Sequence, residues 1–225
     1  MTPDAHDTGK CCVIVGAGPG IGEALALAFA REGYDIALIA RSIAKFTEFV
    51  LEISKLGRRA RAFTADAGDE KSLRAALARA HDELGDVEVL IYNAASARTA
   101  KPLKLESDSL LEEFRTNVGG ALVAAQAVAE GMKARRRGTI LFTGGSFAYE
   151  PAAEYSSLSL GKAALRNLTY SLAQELGAFD VHVATVTVYG FVQRGTRFDP
   201  RGIANSFLQL HHQPKGHFDV EKVYK

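Results

Sequence analysis

The sequence predicts one doubly wound α/β domain, a parallel sheet of about six strands covered by helices on both faces. Three observations predict it. Short continuous apolar runs alternate with long stretches of helical period along most of the 225 residues. The first run leads directly into a glycine-rich turn and then a helix. Glycines stand where most helical stretches stop, at Gly33, Gly57, Gly85, Gly138 and Gly177, as C-terminal caps do. Apolar strands that alternate with helices, rather than with tight turns, imply parallel pairing and burial on both faces.

In chain order, the strands are CCVIVG (11–16), DIALIA (35–40), RARAFTA (59–65), VEVLIYN (87–93), TILFTG (139–144) and VHVATVTVYG (181–190). Each is short, rich in β-branched or aliphatic residues and bounded by polar or glycine positions. Between them lie IGEALALAFAREG, IAKFTEFVLEISKLG, EKSLRAALARAHDELG, a long stretch near 106–136, and YSSLSLGKAALRNLTYSLAQELG, all with helical spacing of apolar residues. Residues 1–9 read as a disordered polar tail, and 10–195 as a dinucleotide-binding domain. Residues 196–225 read as a substrate-side segment of the same domain, with one short helix near 200–212 and no strong seventh strand. A segment of this kind usually covers the ligand-binding edge of a sheet. His211, His212 and His217 fall within it, either over the mouth of a site as acid or base or simply at an exposed helix end.

Composition narrows the class of function. A hydrophobic fraction of 47% and a net charge of +1 fit an ordinary globular protein and argue for neither a nucleic-acid nor a membrane surface. The one dense basic run, Arg135-Arg136-Arg137, stands where a long helix should end and complements its dipole. No apolar run approaches the ~20 residues that span a bilayer. Cys11 and Cys12 are adjacent on a strand and point to opposite faces, which disfavours a structural disulfide. No metal-type spacing is present, and the cytoplasm is the default compartment.

The turn after the first strand, Gly16-Ala17-Gly18-Pro19-Gly20-Ile21-Gly22, carries the first functional signal. Glycines there let the chain turn tightly and let backbone N–H groups approach a diphosphate at the start of a helix. The end of the second strand discriminates between cofactors. A carboxylate there would hold the free ribose hydroxyl of NAD; this chain has Ala40-Arg41-Ser42. The Arg41 guanidinium suits a 2′-phosphate, so NADP(H) is favoured, with NAD(H) the alternative.

Over roughly residues 10–195 the chain resembles the short-chain dehydrogenase/reductase family. Gly16–Gly22 is similar to that family's glycine turn. Asp66, in TADAGDE, matches the aspartate that contacts the adenine ring. Asn93, in Tyr92-Asn93-Ala94-Ala95, is kept from the family's Asn-Asn-Ala-Gly. Asn117, in RTNVGGAL, matches the helix asparagine that helps hold a proton-relay water, and Lys162, in GKAAL, matches the catalytic lysine. The resemblance implies an oxidoreductase that moves hydride between a nicotinamide cofactor and a small carbonyl or alcohol. It also implies a homodimer or higher oligomer built on the helices near 106–136 and 155–177.

The family's chemistry uses a tyrosine four residues before the lysine, whose ammonium lowers the phenol pKa, and a serine that polarises the substrate oxygen. At those positions this chain has Leu158 and Gly145. Three groups are candidates to stand in. Tyr155 shares a helix face with Lys162 but lies about 10.5 Å of helical rise away, and either packs or curls back. Tyr189, in VTVYGFV, replaces the family's proline beside the nicotinamide, as an aromatic wall or as a hydroxyl donor. Ser146 neighbours Gly145 and would recover the serine's role by a small backbone shift. Ser159 is too short and too weak an acid. A catalytically silent NADP(H)-binding sensor or interaction protein is the alternative to an enzyme.

Overall fold

The computed structural model describes residues 10–44 and 46–225; the polar stretch 1–9 lies outside the described residues. Seven strands form one parallel sheet: β1 (Cys11–Val15), β2 (Asp35–Ala40), β3 (Ala60–Thr64), β4 (Val87–Tyr92), β5 (Gly138–Gly145), β6 (Val181–Val188) and β7 (Glu221–Tyr224). Their spatial order is β3-β2-β1-β4-β5-β6-β7, which reverses direction between β1 and β4. That crevice is where doubly wound sheets bind ligands. Helices α1 (Ile21–Arg31), α2 (Thr47–Lys55) and α7 (Pro200–His211) cover one face. Helices α3 (Glu70–Leu84), α5 (Gly120–Arg135) and α6 (Ser156–Gly177) cover the other, with the short α4 (Ser107–Phe114) leading into α5. Cys11 packs in one apolar layer and Cys12 in the other, both free, as the strand alternation requires.

The sheet has one more strand than the apolar alternation shows. β7 is only four residues, EKVY, and pairs with β6 through Thr185↔Glu221 to Val188↔Tyr224. Its anchor is polar. Glu221 accepts hydrogen bonds from Tyr149 Oη (2.6 Å), Arg166 Nε (2.9 Å), Tyr170 Oη (3.1 Å) and Thr187 Oγ1 (2.5 Å). The Arg166 guanidinium lies between the Tyr149 and Tyr170 rings, 4.6 and 4.7 Å from their centroids. A strand fastened by a carboxylate hub has no hydrophobic signature to read.

Two other expectations change. The helical stretch near 106–136 is interrupted by a π-helical turn, Arg115–Gly119, which inserts an extra residue and puts Asn117 on the buried side. Tyr92 Oη donates to Thr116 O within that turn at 2.5 Å, and Gly120 leaves room for the phenol. Gly33, Gly57 and Gly85 do take a positive φ behind their helices. Behind α5 that role falls to Arg136 (φ +48°), and Gly138 instead opens β5.

The histidines are not at the site. α7 runs back toward the amino ends of the strands, where His211 is bonded to Tyr34 Oη (2.7 Å) and Thr139 Oγ1 (2.9 Å). Tyr34 and Thr139 sit at the starts of β2 and β5, opposite the ligand crevice. Burial, with the nearby His212, pulls the His211 pKa down to about 4, so it is a neutral structural group. His212 faces Glu32 at 3.3 Å, and His217 lies in the turn that follows Pro214.

Candidate cofactor and active site

β1 ends in a turn whose geometry forbids a side chain at its first glycine. Gly16 has φ +82°, and a Cβ there would lie 2.3 Å from Ala94 N. The end of β4 therefore packs directly on the turn, and Asn93 ties the two together: its N–H donates to Val15 O (2.8 Å) and its Nδ2 to Gly16 O (2.9 Å). At Gly18 and Gly20 no neighbouring group lies within 4 Å of where a Cβ would stand, so the turn opens onto free space ahead of Ile21, the first residue of α1. Gly22 sits against Ala17 and keeps the helix close to the turn. Backbone N–H groups facing an open space at a helix start fit a diphosphate.

Beside the turn, a cleft of about 430 Å³ lies between the carboxyl ends of β1, β2 and β4. Arg41, Ser42, Asp66, Asn93 and Thr116 line it. Arg41 is exposed, and Asp66 Oδ1 accepts from Gly68 N–H at 2.8 Å, which fixes the carboxylate at the cleft wall. A guanidinium and a fixed carboxylate on either side of an open cleft suit the phosphate and base ends of an adenosine phosphate.

Lys162 reaches the same crevice from α6. Its Nζ donates to Thr143 O at 2.6 Å; Thr143 Oγ1 donates to Asn93 Oδ1 at 2.8 Å. Three hydrogen bonds thus link Lys162, Thr143, Asn93 and the backbone of Gly16, the first through the Thr143 carbonyl and the second through its hydroxyl. No carboxylate among the described residues pairs with the ammonium, and burial lowers its pKa to about 8. Asn117 is spent differently. Its Oδ1 accepts from Ser96 N–H (2.7 Å) and its Nδ2 donates to Ser96 O (2.8 Å), so both ends of the amide brace the loop after β4.

Among the described residues, no hydrogen bond joins Tyr155, Tyr189 or Ser146 to the Lys162 ammonium. Tyr155 is the residue just before α6 and stacks on Phe147 with ring centroids 5.9 Å apart. Tyr189 packs beside Tyr149 at 6.1 Å and beneath Lys225 Nζ at 4.7 Å, toward the β7 edge. Ser146 opens a single 3₁₀ turn, its carbonyl capped by the N–H groups of Tyr149 and Glu150. Ser159 Oγ is bonded back to Tyr155 O at 2.9 Å. Leu158 is half-buried one turn before Lys162. Gly145 is extended, with Lys162 Cε 3.7 Å from where a Cβ would stand, ordinary contact for a small side chain.

Sequence reasoning passed over Thr143, which is central to the network. Its signal is a hydroxyl near the carboxyl end of a strand that is otherwise buried and apolar. Tyr149, Arg166 and Tyr170 had no such signal, because their partner Glu221 lies more than 50 residues away in the chain.

A family model described as short chain dehydrogenase matches residues 10–197. The chain belongs to the short-chain dehydrogenase family. Among curated proteins, cyclohexanol dehydrogenase of Rhodococcus sp. (strain TK6) is 30% identical over 213 residues, covering 87% of this chain and 78% of the relative. A solved short-chain dehydrogenase from Rhodopseudomonas palustris is 26% identical with a TM-score of 0.87, covering 96% of this chain and 98% of that one. A metagenomic short-chain oxidoreductase solved in complex with NADP shares the fold at a TM-score of 0.87 and 24% identity, covering 95% and 96%.

Proposed function

We propose that this chain is an NADP(H)-dependent oxidoreductase acting on a small carbonyl or alcohol, with the Lys162 ammonium as the proton source in place of the family's tyrosine. The observation that carries this reading is Lys162 itself. It is held at the crevice by Thr143, unpaired with any described carboxylate, and has a pKa of about 8, one turn after Leu158. A general acid works best with a pKa near the working pH, and Leu158 can carry no proton.

NADPH, when bound, supplies hydride to the carbonyl carbon of the substrate. The open glycine turn receives its diphosphate, and Arg41 and Ser42 receive its 2′-phosphate. NAD(H) is the weaker alternative because nothing acidic stands at position 40. The NADP-bound metagenomic relative supports this assignment. Lys162 holds the nicotinamide ribose and passes its proton, directly or through one water, to the substrate oxygen as negative charge develops there; solvent then reprotonates the amine. Asn117 and Asn93 act as positioning residues, each through a backbone it braces. Tyr189 and Tyr155 rank behind Lys162 because each ring packs on other partners, and Ser146 because its place is a 3₁₀ turn with no hydrogen bond to the ammonium among the described residues.

The chain acts as a homodimer through α4, α5 and α6. Leu160 supports this: it is 52% exposed and lines an apolar groove between the α4 and α6 regions, together with Leu105 and Leu110. The two free, buried cysteines fit a reducing compartment, the cytoplasm.

The test is NADPH-dependent reduction of small cyclic ketones, beginning with cyclohexanone. Lys162→Met should abolish turnover. Leu158→Tyr combined with Gly145→Ser should raise it, because the second change fits the space beside Lys162. A general acid contributes about 10²–10⁴ in rate, so restoring one should be plain. Turnover that survives in Lys162→Met removes the lysine from the mechanism.

A further inference from the structure

A second cleft, of about 330 Å³, lies on the other side of the glycine turn, between α1 and the segment that joins β6 to α7. That segment is a built turn. Gln193 N–H donates to Phe198 O (3.2 Å), Asp199 N–H to Thr196 O (3.1 Å), and Gly195 N–H to Asp199 Oδ2 (2.8 Å). Asp199 also caps α7 through Arg201 N–H at 2.9 Å. The fixed turn presents one side chain to α1. Arg194 Nη2 meets Glu23 Oε2 at 2.6 Å across 171 residues of sequence.

The pairing is unequal. Glu23 is only 18% exposed and lies in the first turn of α1, whereas Arg194 is 73% exposed and held by this contact alone among the described residues. Glu23 is within one helical turn of the N–H groups that face the cofactor's diphosphate, where an uncompensated carboxylate would repel it. A guanidinium on a fixed backbone and a free side chain needs only rotamer changes to move from Glu23 onto an adjacent phosphate oxygen.

We infer that Arg194 is a cofactor-binding residue: it neutralises Glu23 in the free protein and transfers to the diphosphate bridge when NADP(H) binds, holding the β6–α7 segment across the cofactor. The inference rests on the cofactor reading above and adds a contact from outside the glycine turn. It makes Glu23 a competitor of the cofactor rather than a ligand.

The experiment is fluorescence titration of the full chain with NADPH and, as a probe that lacks the diphosphate bridge, 2′-AMP. Arg194→Ala should raise the Kd for NADPH about tenfold at low ionic strength and leave that for 2′-AMP unchanged. The difference should shrink in high salt, which screens an exposed contact. Glu23→Gln should bind NADPH at least as tightly as wild type, because the guanidinium is released. An Arg194→Ala protein within twofold of wild type overturns the inference, as does an equal loss for both probes. Weakening by Glu23→Gln overturns it too, because the pair would then be a structural latch. Wild-type protein that binds no NADPH would instead refute the cofactor reading itself.

Discussion

The ammonium of Lys162 rests on the carbonyl oxygen of Thr143, 2.6 Å away, and not on a carboxylate. A buried cation with a neutral partner keeps its proton less tightly, which is why its pKa falls from 10.5 to about 8. The sign of the stability effect follows. Below about pH 8 the folded and unfolded chains both hold the proton, and the burial cost is fully present. Between about 8 and 10.5 the folded chain sheds it first, so wild-type stability rises with pH relative to Lys162→Met. The cost below pH 8 is of the order of 3 kcal/mol. Urea denaturation of both proteins at pH 7 and pH 10 measures it; a pH-independent difference would contradict the desolvated lysine. Turnover should fall as pH rises through about 8.

Thr143 also donates to Asn93, whose other end holds the Gly16 carbonyl. Thr143→Val keeps the shape but leaves Asn93 Oδ1 without its donor, at a cost of about 1–3 kcal/mol. The Asn93 amide is then free to rotate away from the turn. NADPH binding should weaken several-fold while Lys162, which uses the backbone of residue 143, keeps its pH profile. Titration alongside a pH–rate profile separates the two effects.

Arg41 is exposed at the cleft wall with no carboxylate beside it at position 40. Arg41→Ala should cost NADPH about tenfold or more in affinity, the worth of one charge-assisted phosphate contact, and leave NADH nearly unchanged. Parallel titrations with both cofactors decide it. Equal affinities in the wild type would remove Arg41 from phosphate recognition.

Glu221 gathers four donors at the edge of the sheet. Burial pushes its carboxyl pKa up, but the hydrogen bonds from Thr187, Tyr149 and Arg166 outweigh this and hold it below the ordinary value. Its stabilisation is therefore fully present above the unfolded-state pKa and lost as pH falls through the folded one. Glu221→Ala should destabilise the fold by about 2–4 kcal/mol, toward the lower end because Arg166 is partly open to water. The loss should shrink in acid, and hydrogen exchange should show β7 detaching before the rest of the sheet.

The sequence by itself determined the doubly wound class, the places of its first six strands along the chain and the glycine turn. These are encoded locally, in apolar runs, helical periods and residues with one permitted conformation. It also marked Asn93, Asn117, Lys162 and Arg41 as residues to watch, and through its family resemblance raised the expectation that Leu158 stands where a proton donor would be. What it did not contain is how those side chains spend their hydrogen bonds. Only the tertiary structure decided that Lys162 leans on Thr143, that Asn117 is committed to Ser96, and that the histidines of 211–217 lie at the far end of the sheet. It decided as well that EKVY is a strand, because Glu221 meets partners 34 to 72 residues away. Contacts over such separations are fixed by packing of the whole chain, and no local pattern of charge or period records them.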